Sequence, residues 1–282
     1  MNVLSLFDGM STGQQALKNI GVRINKYYAS EVKKQAIELT KHHFPNTIHL
    51  GDIRNWREWD IDYSKIDLIL SGSPCKDLSI AGKRRGLEGD NSSLFYIFID
   101  ILNYVRKFNK NVIFLQENVC SADKNEIDKI SNELGVQPVK INSNLVTAQN
   151  RCRIYWSNGK TKELGFFKEK YTYITQPKDR KILFGDIITS GRVEFKKART
   201  ILESESRLNT NKSKLLRRYK TVGMINIVFE EDTIRPLNKI ELCRLQGFPD
   251  NYCDTLTRNK AASLLGDGWT LPVIEHIFKE IL

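Results

Sequence analysis

Ser73-Pro74-Cys75 follows the apolar run at 66–70, which puts a thiol just past the end of a buried strand. Ligands of open α/β sheets bind outside the carboxyl ends of the strands, so a cysteine there is placed to act as a nucleophile. Elsewhere in a fold a free cysteine behaves as a small hydrophobe. Glu117 follows a second apolar run, at 111–115. A thiolate paired with a carboxyl group suits addition to an electron-poor ring, the carboxyl protonating a ring nitrogen as sulfur adds. An ordinary thiol titrates near ~8.5, so the site must favour the thiolate. Lys76, Lys83, Arg84, Arg85, Arg151 and Arg153 are the basic neighbours available for that.

Two more carboxylates end short strands. Glu31 fits hydrogen bonds from ribose hydroxyls, and Asp52 fits an adenine amino group. The loop Phe7-Asp8-Gly9-Met10-Ser11-Thr12-Gly13 carries glycines that let backbone approach a ligand. It is neither GxGxxG nor a GK[ST] loop, which argues against nucleoside triphosphate hydrolysis. The combination describes a nucleoside cofactor without a bound pyrophosphate.

These residues need a frame. Strands are expected at 2–7, 23–29, 47–50, 66–70 and 111–115, with helices at 14–20, 33–43, 92–107 and 124–134. Ser11 or Thr12 is the expected cap of the first helix. A strand pair at 136–142 and 153–156 follows. Strands alternating with helices predict an α/β fold, a doubly wound and mostly parallel sheet. Asp8, Glu31, Asp52, Cys75 and Glu117 then share the rim made by the strand carboxyl ends. The expected organisation is a catalytic domain at 1–185, a small region at 186–256, and a returning segment at 257–282.

The chain has 282 residues, 40% of them hydrophobic, enough for a proper core. Lys and Arg number 44 against 33 Asp and Glu, a net charge of +11 that favours a polyanionic partner such as nucleic acid. Nine of those basic residues lie between Lys196 and Lys220, outside the α/β pattern, where they read as a phosphate-contacting element. No run reaches the ~20 apolar residues of a membrane span, and the first residues lack a signal-peptide pattern, so a cytosolic protein is expected. The five cysteines show no CxxC pairing, and thiols are expected rather than disulfides.

In order and type, these segments resemble the C5-cytosine DNA methyltransferases. Phe7-Asp8-Gly9 with Gly13 looks like the S-adenosyl-L-methionine loop, Glu31 like the ribose-binding acid, and Gly51-Asp52-Ile53 like the adenine turn. Ser73-Pro74-Cys75 looks like the nucleophile motif and Glu117-Asn118-Val119 like the acid motif. Gln149-Asn150-Arg151-Cys152-Arg153 is similar to the Gln-x-Arg-x-Arg motif. Arg235-Pro236 with Gln246-Gly247-Phe248-Pro249, and Leu265-Gly266-Asp267-Gly268-Trp269, look like the two closing motifs. Asp77-Leu78-Ser79-Ile80 and the segment from Phe195 to Ile201 resemble the de novo class. Lys76 and Asp267 depart from residues common in the family.

The resemblance implies a class I S-adenosylmethionine-dependent methyltransferase fold with a target-recognition region. It implies methyl transfer to C5 of cytosine in double-stranded DNA, after the base is flipped out of the stack. Catalysis would fall to Cys75, Glu117, Arg153, Arg151 and Pro74. Phe7, Asp8, Gly9, Ser11, Thr12, Gly13, Glu31, Val32, Asp52, Ile53, Ser73, Leu94, Asp267, Gly268 and Trp269 would hold the cofactor. Lys83, Arg84, Arg85, Arg199, Arg207, Lys212, Lys214, Arg217 and Arg218 would contact DNA. No metal is implied, and a cognate restriction endonuclease acting separately is a candidate partner. RNA methylation fits the nucleophile segment less well, and a non-catalytic homologue would not need Cys75, Glu117 and Arg153 together.

Overall fold

A computed structural model describes residues 1–73, 93–166, 168–208, 211–221 and 225–282. Pro74, Cys75, Lys76, Lys83, Arg84 and Arg85 lie outside the described residues. The chain begins β1 (Asn2–Leu6), α1 (Thr12–Asn19), β2 (Lys26–Ser30), α2 (Lys34–His43), β3 (Ile48–His49) and β4 (Leu68–Ser71). It continues α3 (Ser93–Arg106), β5 (Ile113–Val119), α4 (Lys124–Leu134), β6 (Val139–Asn142) and β7 (Cys152–Ser157). Among the described residues these strands make one sheet in the order β3-β2-β1-β4-β5-β7-β6. β1, β2, β3, β4 and β5 run parallel to their neighbours, and β7 pairs antiparallel to β5. The expected doubly wound sheet is present.

The strands are apolar nearly throughout, as strands covered on both faces must be. Val3, Leu4, Leu68, Ile69, Leu70, Phe114 and Leu115 are all fully buried. Helix α3 presents Phe95, Phe98, Ile101, Leu102 and Val105 to this core, where they meet Leu4, Leu6, Ile69 and Phe114. Helix α1 lies so close to the sheet that a Cβ at Gly13 would stand 2.4 Å from Leu70 Cδ1. Gly13 is therefore a packing glycine as well as part of the loop.

The chain folds into two compact units. One comprises Met1–Ile141, Cys152–Gln176 and Glu275–Leu282, and the other Asn142–Arg151 and Pro177–Ile274. A hairpin of β8 (Thr161–Leu164) and β9 (Glu169–Thr172) belongs to the first. The second contains α5 (Lys212–Thr221), the hairpin of β10 (Ile227–Phe229) and β11 (Ile234–Pro236), α6 (Lys239–Gln246) and α7 (Arg258–Asp267). Its own core joins Leu208, Leu215, Tyr219, Ile225, Ile227 and Ile234. The chain ends in α8 (Leu271–Ile281).

Four expectations need correction. Gln116, Glu117 and Asn118 do not follow β5 but lie inside it, because antiparallel pairing with β7 carries the strand on to Val119. β2 begins at Lys26 rather than at 23, its register being set by Asn2 of β1. No side chain caps α1: Ser11 sits at the cap position, but its hydroxyl donates to Asp8. Finally, Cys120 and Cys152 are not thiols but a disulfide, since the β5–β7 register brings them opposite each other with Cα atoms 5.6 Å apart.

Candidate active site

The parallel register builds one rim. Leu6 pairs with Ser30 and Ser71, and Ser71 with Gln116. One residue further along each strand stand Phe7, Glu31, Gly72 and Glu117. β3 joins them at Gly51, because Ala29 pairs with His49 two residues earlier. Four separate crossovers thus deliver the candidate residues to one level, which the parallel ladders end short of and only the β5–β7 ladder passes.

On the β1–β2 side the loop is a backbone device. Phe7, Gly9 and Ser11 all adopt left-handed conformations, with φ of 58°, 59° and 56°. Two non-glycine residues there store strain, of order ~1–3 kcal/mol each, of the kind that collects at functional sites. The loop is tied down by Glu31, whose Oε2 accepts from Gly9 N at 2.8 Å. Its Oε1 accepts from Val32 N and Lys33 N, both at 2.8 Å. Asp8 accepts from Tyr27 Oη at 2.8 Å and from Ser11. Burial is the largest influence on Asp8 and pushes its carboxyl up to about 6, against the hydrogen bonds from Ser11, Ser5 and Tyr27. Tyr27 was not singled out from the sequence, because nothing local distinguishes it from any strand aromatic.

Beside Glu31, Val32 leaves 66% of its surface exposed. Asp52 caps the turn after Gly51 by accepting from Arg54 N at 2.9 Å and pairs with the Arg54 guanidinium, while Ile53 is buried beneath. Ser30 Oγ holds Gly51 O at 2.8 Å. An exposed valine beside one carboxylate, a second carboxylate after the neighbouring strand and a glycine-bearing loop fit an adenosyl group: acceptors for hydroxyls and an amine, and an apolar side chain for a purine ring. S-Adenosylmethionine carries that group, and Glu31, Val32, Asp52 and Ile53 are the residues that would hold it. Ser73 is buried and accepts from Gln116 Nε2 at 3.1 Å. Ser71 Oγ, Gln116 Oε1 and Asn118 Nδ2 are buried polar atoms without a partner among the described residues. Leu94 is half-buried near the start of α3.

On the β5–β7 side, Glu117 pairs across the ladder with Tyr155, and Arg153 with Val119. Residues two apart on a strand share a face, so Glu117 and Arg153 are diagonal neighbours on one face. Arg153 Nε meets Glu117 Oε1 at 2.9 Å, with Glu117 only 9% exposed overall. A carboxyl group held this way is oriented for proton exchange with a base, and the arginine beside it offers further donors.

Arg151, grouped with Arg153 by sequence, lies in the other unit. It is 3% exposed, and its guanidinium donates to the carbonyls of Ile201, Gly266 and Gly268 at 2.8, 3.0 and 2.9 Å. Alternation alone would set residues 151 and 153 on one face, but β7 begins at Cys152, so Arg151 precedes the strand and is free of that rule. Asp267 is exposed, and Gly268 and Trp269 are half-buried.

Of the nucleic-acid candidates, Lys212, Lys214 and Arg217 lie exposed on α5, with Leu215 and Tyr219 buried beneath. Arg218 is half-buried, and Arg207 pairs with Glu203 at 2.8 Å. The Arg199 guanidinium lies over Phe195 and Tyr219, 4.5 and 5.1 Å from the ring centres. The basic stretch is thus an amphipathic helix and a stacked arginine.

A family model described as C-5 cytosine-specific DNA methylase matches residues 1–157 and 122–282, the whole length of the chain. The chain belongs to that family. Among its curated relatives is the orphan methyltransferase M.Rho11sI of Bacillus phage rho11s, 32% identical over an alignment of 170 positions that covers 55% of this chain and 32% of the phage protein. The chain spans about a third of the length of the phage relatives that it matches. The type II methyltransferase M.HpaII of Haemophilus parainfluenzae is 25% identical over 99% of this chain and 88% of its own. Among solved structures, the Entamoeba histolytica methyltransferase EhMeth superposes with a TM-score of 0.69 at 15% identity, covering 100% and 99% of the two chains. S. pombe Dnmt2 gives 0.66 at 15%, covering 100% and 98%. The C-5 cytosine methylase fold is therefore shared well beyond sequence likeness. No helix among the described residues is long and apolar enough to cross a membrane.

Proposed function

We propose that the protein transfers a methyl group from S-adenosyl-L-methionine to C5 of cytosine in double-stranded DNA. The observation that carries this reading is the Glu117–Arg153 pair, set on one face of β5–β7 at the rim that also holds Glu31 and Asp52. The bound cofactor supplies a methyl group on a sulfonium, which departs as a neutral thioether.

The chain's own residues do the rest. The target base must leave the stack, because C5 and C6 cannot be reached inside a duplex. Cys75, assigned with Pro74 from motif order and outside the described residues, adds its thiolate to C6. Glu117 protonates N3 as the new C–S bond forms, so the ring electrons collect at C5 and make it nucleophilic. Arg153 holds Glu117 and contacts the base. After C5 has taken the methyl group it loses its proton to solvent, the thiolate is expelled, N3 returns its proton to Glu117, and the neutral aromatic ring is restored. Arg151 acts through the backbone, as a positioning residue. The exposed cations of α5 and the stacked Arg199 are the DNA-facing set.

The relatives' names include both type II and orphan phage methyltransferases. A separately acting endonuclease is thus supported by one group and unnecessary to the other. A DNA substrate puts the reaction in whichever compartment holds the DNA.

A duplex with 5-fluorocytosine in place of cytosine tests the reading, since fluorine at C5 cannot leave as a proton does. With S-adenosylmethionine, a covalent protein–DNA adduct is expected, and Cys75→Ser should abolish it. An adduct from Cys75→Ser as abundant as wild type would remove the nucleophile assignment. Adduct formation with fluorinated RNA hairpins alone would make RNA the substrate. Glu31→Ala should weaken cofactor binding far more than DNA binding, and equal losses would take Glu31 out of the cofactor site.

A further inference from the structure

Cys120 and Cys152 join the two strands that carry the acid and its arginine. Val119 and Arg153 form the last pair of the β5–β7 ladder. Cys120 and Cys152 stand one step beyond it and opposite one another, 32 residues apart in sequence. Side chains alternate along a strand. Glu117 and Arg153 therefore share one face of the ribbon, and the cystine lies on the reverse face. Ladder ends fray first, because a terminal pair has neighbours on one side only. Arg153 is that terminal residue. Both cysteines are half-buried, within reach of small thiols and disulfides. Cys243 and Cys253, by contrast, are fully buried free thiols in the other unit.

We propose that Cys120 and Cys152 form a reversible redox site, a cross-strand clasp that fixes Arg153 against Glu117 when oxidised and lets the strand end open when reduced. The part that concerns catalysis rests on the methyltransferase reading; the clasp itself does not. The exchange partner is a low-molecular-weight disulfide. One cysteine thiolate attacks it, forming a mixed disulfide and releasing one small thiol. The second cysteine thiolate then displaces the other small thiol and closes the Cys120–Cys152 bond. Two protein thiols are oxidised and one small disulfide is reduced to two thiols, so electrons and protons balance.

Unlike a merely structural crosslink, the clasp makes the backbone at Arg153 respond to redox state. The test equilibrates the full chain in buffers of graded glutathione to glutathione disulfide ratio, alkylates free thiols, and maps peptides by mass. Cys120 and Cys152 should lose and regain reactivity together, while Cys243 and Cys253 stay thiols. Amide hydrogen exchange across residues 118–120 and 152–154 should quicken about tenfold or more in the reduced chain, and Cys152→Ser should reproduce the reduced rate in every buffer. Independent alkylation of Cys120 and Cys152 at all ratios would overturn the clasp. So would exchange rates across residues 118–120 and 152–154 that do not change with oxidation. With DNA, the reduced chain should lose about three- to tenfold in kcat at unchanged cofactor affinity. A clasp that forms without changing kcat overturns the positioning role alone, and absence of methylation in both states overturns the reading of function instead.

Discussion

Two arginine–carboxylate pairs, one at the sheet rim and one inside the second unit, use the same chemistry for opposite ends. At the rim, Arg153 reaches Glu117 through Nε, and solvent reaches both side chains. In the second unit, Arg235 grips Glu241 with both terminal nitrogens, at 2.8 and 2.9 Å, and Glu230 with Nε at 2.7 Å. Glu241, 0% exposed, also accepts from the backbone nitrogens of Thr189 and Asn238, so its carboxyl stays below the usual range despite burial. A third carboxylate marks what that network achieves. Glu205 is 1% exposed with Arg258 3.7 Å away, and neither of its oxygens makes a hydrogen bond of good geometry among the described residues. Burial there outweighs the charge and pushes Glu205 up to about 7. Hydrogen bonds in good geometry, rather than a nearby cation, decide whether a buried carboxylate stays charged. A group meant to exchange protons cannot be saturated as Glu241 is.

The contrast breaks most directly at Glu117. Glu117→Gln keeps shape and removes the proton, so methylation should fall by about 10²–10⁴-fold while the melting temperature barely moves. A loss below threefold would make the rim pair structural, like its counterpart. Arg235→Met should do the reverse. It leaves Glu241 buried and uncompensated, and should cost about 3–5 kcal/mol in denaturant unfolding, with cofactor affinity per folded molecule unchanged.

Glu205 sharpens the comparison through pH. Its folded pKa, about 7, lies above the ordinary value of 4.5. The stability it supports is full below the unfolded pKa and lost as pH rises through the folded one. Glu205→Gln should therefore match wild type near pH 4.5 and exceed it by about 1–3 kcal/mol at pH 8. A constant difference across that range would mean Glu205 stays charged. Asp8→Asn should show the same sign over a lower window, ending near the folded value of about 6, and with a smaller amplitude. Its test is the same unfolding series between pH 4 and 7.

Much of this molecule was legible before folding, and the limits have physical causes. Helix α4 was bounded by sequence at 124–134, as observed, because Asp123 caps one end and Gly135 takes a left-handed φ of 69° at the other. Glu31 and Glu117 were readable because apolar runs announce strands, and strand ends carry chemistry. β5 was cut short because polar Gln116, Glu117 and Asn118 look like a loop until an antiparallel partner is known. Tyr27 and Gln116 were invisible as site residues, since their partners Asp8 and Ser73 are 19 and 43 residues away.

Local pattern determined the order of strands and helices, the rim acids, the basic stretch and the family, because each depends on periodicity, composition or short motifs. Tertiary structure alone decided which cysteines meet, which of two neighbouring arginines faces the acid, and which buried carboxylates are charged. Those outcomes depend on register and on distances between segments far apart in the chain, where a shift of one residue exchanges the two faces of a strand.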